Sequence, residues 1–279
     1  MRAEQFTAPL VEHGEGPAWS PHWGGVRWVD MLAGDALELD ESGEVRRVHV
    51  ADVACVLRRR RGGGMLVATG TGLVVSDGDG FEGPFREIQR LVDDPSIRLN
   101  EGGCAPDGDI VIGSMAYDAR PGAGTLWSYR PDRRAEVVEA EVTISNGIAW
   151  SPGGFSAYYA DTPTGRVDRF AWSPERGLHD RRPFVEVDSP DGLCVDEEGG
   201  VWVARYGGGA VHRYDDRGEL THVVEVPTAF TTAVAFTGAS FDRIVITTSR
   251  LEAPDDSRAG ALFTVETGVR GIPLGEFAG

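Results

Sequence analysis

The sequence predicts an all-β chain folded as a six-bladed β-propeller, with four-stranded antiparallel blades around a central channel. Three observations carry this: strand-length apolar stretches recur at a nearly constant interval, turn signals follow each of them, and no helical apolar stripe intervenes. The chain has 279 residues, 38 of them glycine and 16 proline, a composition that disfavours long helices. In order, the stretches are GVRWVDM, GMLVATG, DIVIGSM, SAYYADT, GVWVARY and RIVITTS. Aligned on Val29, Val67, Val111, Tyr158, Val201 and Val245, they are spaced by 38, 44, 47, 43 and 44 residues, which makes six units. A second strand follows most of them, as in GDALELDESG, GAGTLWSYRPD, TGRVDRFAWSPERG, GGAVHRYDDRG and AGALFTVETG. The clusters PDG, SPGG, DEEGG and DDRG mark hairpins. A β-sandwich would not repeat this hairpin grammar six times. The expected arrangement is one domain over residues 1–279, with the two termini sharing a blade and helix confined to short pieces, near residues 83–95.

Composition removes several kinds of chemistry. The 44 acidic against 27 basic residues give a formal charge of −17, and every basic residue is arginine. Without lysine there is no Schiff-base lysine, no lysine-anchored pyridoxal phosphate and no GxxxxGK[ST] phosphate loop. Nucleic acid and anionic membrane surfaces are poor partners for such a chain. The run RRRRGGG (58–64) reads as a solvated turn against that acidic background. No stretch approaches the ~18 consecutive apolar residues of a membrane helix, and the start lacks a signal-peptide pattern. Cys55, Cys104 and Cys194 have no CxxC spacing and read as buried small residues in a reducing cytoplasm. Trp19, Trp127, Trp150, Trp172 and Trp202 lie in strand motifs and read as blade packing. A propeller ring is complete by itself, so a monomer or weak oligomer is expected.

Propellers place function where the segments entering the inner strands converge on the channel. Those segments are HGEGPAW (13–19), RLNEGGCAPDG (98–108), ISNGIAWSPGG (144–154) and SPDGLCVDEEG (189–199). Each sets an acid or amide just ahead of glycine or near it: Glu15, Asn100, Asn146 and Asp191. Spacings of 46 and 45 separate the last three, and Asn100 and Asn146 are the only asparagines in the chain. Asn-Gly and Asp-Gly are also ordinary turn formers, but the shared position points all four at one axis. Acids gathered there repel one another without a cation. Glu15, Asn146 and Asp191 offer oxygen donors, which suit one hard divalent ion, calcium first, then magnesium or manganese. Zinc through carboxylates stays open, although its usual His/Cys set is missing. His13, two residues before Glu15, could reach the rim of the same site.

With WVDM, GSM, YYADT, GGVWVARYGGGAV and the tail GVRGIP added, these motifs resemble the SMP-30/gluconolactonase/regucalcin family in order and over nearly the whole chain. The resemblance implies a six-bladed propeller with one divalent metal held by Glu15, Asn146 and Asp191. It also implies that Arg98 and Asn100, matching R-x-N-[DE]-G, contact substrate, and that Asp118 falls where the family carries an acidic substrate-binding residue. Glu101, Ala105, Thr237 and Gly238 depart from the family pattern without touching the implied ligands.

The expected activity is a metal-dependent lactonase, hydrolysing a sugar lactone or related cyclic ester to the hydroxy acid. Asp191 would act as ligand and as base for the attacking water. No GxSxG elbow or Cys/His pairing supports a covalent route. A non-enzymatic calcium- or partner-binding propeller, and an esterase or organophosphate hydrolase on the same metal, are the alternatives, since fold does not fix function.

Overall fold

A computed structural model of the chain describes residues 1–132 and 134–279. Six four-stranded antiparallel sheets form a six-bladed β-propeller. The innermost strands are Gly14–Trp19, Ala54–Arg59, Ile97–Cys104, Ser145–Trp150, Pro190–Val195 and Thr231–Thr237, and they define blades one to six. In blades one to five the next three strands follow in sequence. Blade six is closed differently: Glu4–Gln5, from the N-terminus, pairs with Phe263–Glu266 as its outermost strand. The termini therefore share a blade, as the repeat implied. Among the described residues there is no α-helix, and none long and apolar enough to cross a membrane.

Two expectations are corrected. Residues 83–95 hold no helix; Arg86–Arg90 is the outer strand of blade two. An outer strand is half exposed and needs few apolar residues, so its sequence loses the alternation that marks strands. The arginine run is a solvated turn only in its second half, where Arg61 and Gly62 are exposed. Arg58 and Arg59 end an inner strand and are buried. Arg58 donates to the carbonyls of Leu57 and Gly102, while Arg59 forms a two-bonded pair with Asp79 and a bond to Glu276. The C-terminal tail covers this strand end, with Phe277 N donating to Arg59 O and Arg61 N to Phe277 O.

Packing between blades supplies the core. Trp202, wholly buried, meets Phe236 of the next blade edge to face at 5.9 Å, and Trp28 packs with Leu37, Val245 and Leu262 between blades one and six. The three cysteines are free and buried. One hairpin anchor recurs as a polar knot. Asp196, fully buried, accepts from the Gly200 and Glu198 amides, from Trp202 Nε1 at 2.7 Å and from Arg213 Nε at 2.7 Å. Asp196→Ala would leave the indole N–H of Trp202 and the Nε of Arg213 without their partner, the guanidinium keeping only Glu198 and Thr221. We expect it to lower unfolding free energy by about 3–5 kcal/mol, read from urea melts; a change below about 1 kcal/mol would contradict this account.

Candidate metal centre and its cavity

The polar residues singled out in the sequence lie in the inner strands themselves, not in loops before them. Each inner strand carries one extra residue relative to its partner. In blade four Ser145 pairs with Asp161 and Ile148 with Tyr159, and in blade five Pro190 pairs with Arg205 and Leu193 with Val203. Blade three skips likewise after Leu99, just before Asn100, and blade one skips just after Glu15, which still pairs with Val29. Such a bulge re-aims a side chain out of the alternating pattern. Here it turns Glu15, Asn100, Asn146 and Asp191 into one cavity of about 240 Å³. At three of the four a glycine follows and allows this: Gly16 has φ +55°, and a Cβ on Gly192 would stand 2.4 Å from the Ala233 Cβ of the next blade, whereas Asn100 is followed by Glu101.

Two aspartates hold the strand entrances. Asp30 Oδ1 accepts from the Glu12 and His13 amides at 3.1 and 3.2 Å, and Asp161 Oδ1 accepts from the Ile144 amide at 2.8 Å. These are the acids of WVDM and YYADT, each fixing the segment that carries Glu15 or Asn146 in its own blade. Thr162 then orients an amide. Its hydroxyl donates to Pro190 O at 2.7 Å and accepts from Asn146 Nδ2 at 2.7 Å. Asn146 Oδ1 is thereby turned to the channel, where Asn100 Nδ2 donates to it at 2.9 Å. Arg98 donates in turn to Asn100 Oδ1.

The electrostatics are those of an uncompensated acidic pair. Glu15 and Asp191 are 2% and 4% exposed. Burial raises both carboxyls well above their ordinary values. The charges of Asp191 and then Glu101 add to the effect on Glu15, and that of Glu101 to the effect on Asp191. Burial also lifts Glu101 to about 7, against the pull of Arg58. His13 is pushed down to about 3 by burial and by Arg98, so its ring is neutral near pH 7. His13 Nε2 stands 3.7 Å from Glu15 Oε1. Asp191 Oδ1 has no hydrogen-bond partner among the described residues. Among those residues no three His, Cys, Asp or Glu side chains gather in ligating geometry, so a cation here would rest on two carboxylates and the Asn146 amide oxygen. A hard divalent ion fits that donor set and would offset the repulsion.

Arg98 and Asn100 line the cavity with these residues. Asp118 does not: its side chain is 65% exposed and engaged by Arg120. Sequence reasoning missed Leu32, Met115, Ile144, Thr162, Tyr206, Leu251 and Glu252, which complete the lining. Only Thr162, in the repeated position after YYAD, left a readable signal.

This ring, with its channel-facing acids and amides, coincides with a family model described as the SMP-30/Gluconolactonase/LRE-like region, matched over residues 13–250. The chain belongs to this family. It is 30% identical to regucalcin of Bos taurus and 30% identical to a 6-deoxy-6-sulfogluconolactonase of Pseudomonas putida, covering 95% of both chains in each case. Among solved structures, a calcium-binding regucalcin from Agrobacterium tumefaciens superimposes with a TM-score of 0.90 at 29% identity, covering 97% of this chain and 95% of that one. The chain is thus a six-bladed propeller of the SMP-30/gluconolactonase family.

Proposed function

We propose that the protein is a divalent-metal-dependent lactonase that opens a sugar lactone or related cyclic ester. The observation carrying this reading is the pair of buried, mutually repelling carboxylates, with one Asp191 oxygen unpartnered, at the floor of a cavity of small-molecule size. Glu15, Asn146 and Asp191 would hold the ion; a bound divalent cation supplies Lewis-acid polarisation of the ester carbonyl. The remaining chemistry belongs to the chain. Asp191 takes a proton from the attacking water, the C–O bond to the ring oxygen breaks, and that oxygen leaves protonated as the new hydroxyl. Arg98 and Asn100, already bonded to one another, orient the substrate, and the guanidinium stabilises negative charge growing on the acyl oxygen. The lactonase named among the relatives and the calcium-binding structural neighbour support the reading. We further place the protein in the cytoplasm and treat residues 1–279 as one domain.

The test is acid release from a panel of lactones before and after exhaustive chelation, with calcium, magnesium, manganese and zinc added back separately. Activity should vanish with the metal and return with at least one ion. Undiminished hydrolysis after complete metal removal would exclude the role given to the acids. Tight ion binding with no turnover of any ester would leave a calcium-binding propeller instead.

A further inference from the structure

The cavity has a polar floor and largely apolar walls. Leu32, Met115, Ile144 and Leu251 form the sides, and among the described lining residues Glu252 is the one carboxylate that is not on the floor. Glu252 is held in place. Its Oε1 accepts from the Tyr206 hydroxyl at 2.9 Å, and Tyr206 packs on Phe230 with ring centroids 5.0 Å apart. Ser249 also bonds to Tyr206, and its hydroxyl lies 2.8 Å from Nδ1 of His13, beside Glu15. A chain of polar contacts thus runs from the floor to the rim and ends on this carboxylate. Among the described residues Oε2 of Glu252 has no bonded partner.

Asp118 is placed very differently. Both of its oxygens are engaged by Arg120, whose guanidinium is itself anchored to Ser96 Oγ at 2.8 Å. We infer that Glu252, positioned by Tyr206, is the acidic side chain that receives a substrate hydroxyl at the mouth of the cavity, in the role the family resemblance assigns to Asp118. This rests on the lactonase reading and narrows its substrate to a neutral, hydroxylated lactone. A carboxylate accepts a hydroxyl hydrogen bond strongly, whereas an anionic substituent at the same place would meet like charge, since the cation among the described lining residues, Arg98, lies at the floor bonded to Asn100.

Two lactones of equal ring size decide the matter, glucono-1,5-lactone and unsubstituted δ-valerolactone. The quantity read is the ratio of their kcat/KM values. Glu252→Ala should lower the ratio roughly tenfold, through KM on the hydroxylated substrate, as expected for one lost charge-assisted bond. Glu252→Gln, which keeps an acceptor oxygen, should fall less, and Tyr206→Phe should fall between the two. Glu252 is exposed at the rim, so folding is not at stake. A ratio unchanged in Glu252→Ala, or one that instead collapses in Asp118→Ala, overturns the assignment while leaving the lactonase intact. Failure of the wild-type protein to open either lactone removes both readings together.

Discussion

Asp191→Ala is expected to reduce kcat/KM on any lactone substrate by about three orders of magnitude, the scale of losing a general base together with part of a charge-stabilising site. The residue sits in a strand bulge at the cavity floor, with one oxygen unpartnered and the acid itself buried. Alanine removes both the proton acceptor and one of the two negative donors. Asp191→Asn is the sharper variant, because it keeps shape and one donor oxygen while deleting charge and basicity. Its activity should fall nearly as far. Its metal-free thermal midpoint should be no lower than wild type, because it discards a charge that burial and Glu101 disfavour. A highly active Asp191→Asn would refute the base assignment, and a grossly unstable one would show that the lost activity reflects folding.

The second large effect links protons, cations and stability. Across the Glu101 window, from 4.5 to about 7, metal-free protein should lose the stability its protonated carboxyls contribute. His13 offsets this in part, because its ring stays neutral in the fold and contributes stability as pH rises to 6.5. In the folded state the Glu15, Asp191 and Glu101 carboxyls hold protons at pH values where the unfolded chain has released them. The stabilising contribution is full below the unfolded values near 4 and 4.5. It is lost as pH climbs through the raised ones, with the Glu101 window lying between 4.5 and about 7. A divalent cation reverses the balance, since it binds the deprotonated pair. At a hundredfold excess over its dissociation constant it should add about 2.7 kcal/mol, and its affinity should weaken as pH drops. Thermal melts at several pH values, with and without calcium, read both effects. Midpoints that rise with pH in the metal-free protein, or cation affinity indifferent to pH, would contradict the electrostatic account.

The six blades were legible because inner and second strands are buried on both faces and must be apolar, so their spacing survives in the sequence. Outer strands were not. Arg86–Arg90 is REIQR, half exposed, and its composition suits helix as well as strand. The site was legible for a related reason: both asparagines of the chain stand at equivalent bulges. The segments carrying them looked like turns, since a bulge next to glycine uses the same residues as a turn. The arginine run misled because nothing local announces that residues 276–279, more than two hundred positions away, will cover it. Tyr206 stands at the repeat position that Thr162 holds one blade earlier but carries a different residue type, while Leu251 and Glu252 lie in the connection from Thr248 to Phe263, far longer than its counterparts in the other blades, so no periodicity exposes them.

The bulges have an evolutionary consequence. At this ring position the six blades carry Glu15, Cys55, Asn100, Asn146, Asp191 and Thr232. Four of them face the cavity, while Cys55 and Thr232 turn their side chains onto the backbone carbonyls of Leu99 and Gly14. Each is a separate letter of a six-letter word, written where the ladder has already skipped a residue. One letter can be respelled without disturbing the pairing that closes the ring. The side chains that face the cavity can therefore be exchanged one at a time while the strand pairing that closes the ring is left as it is.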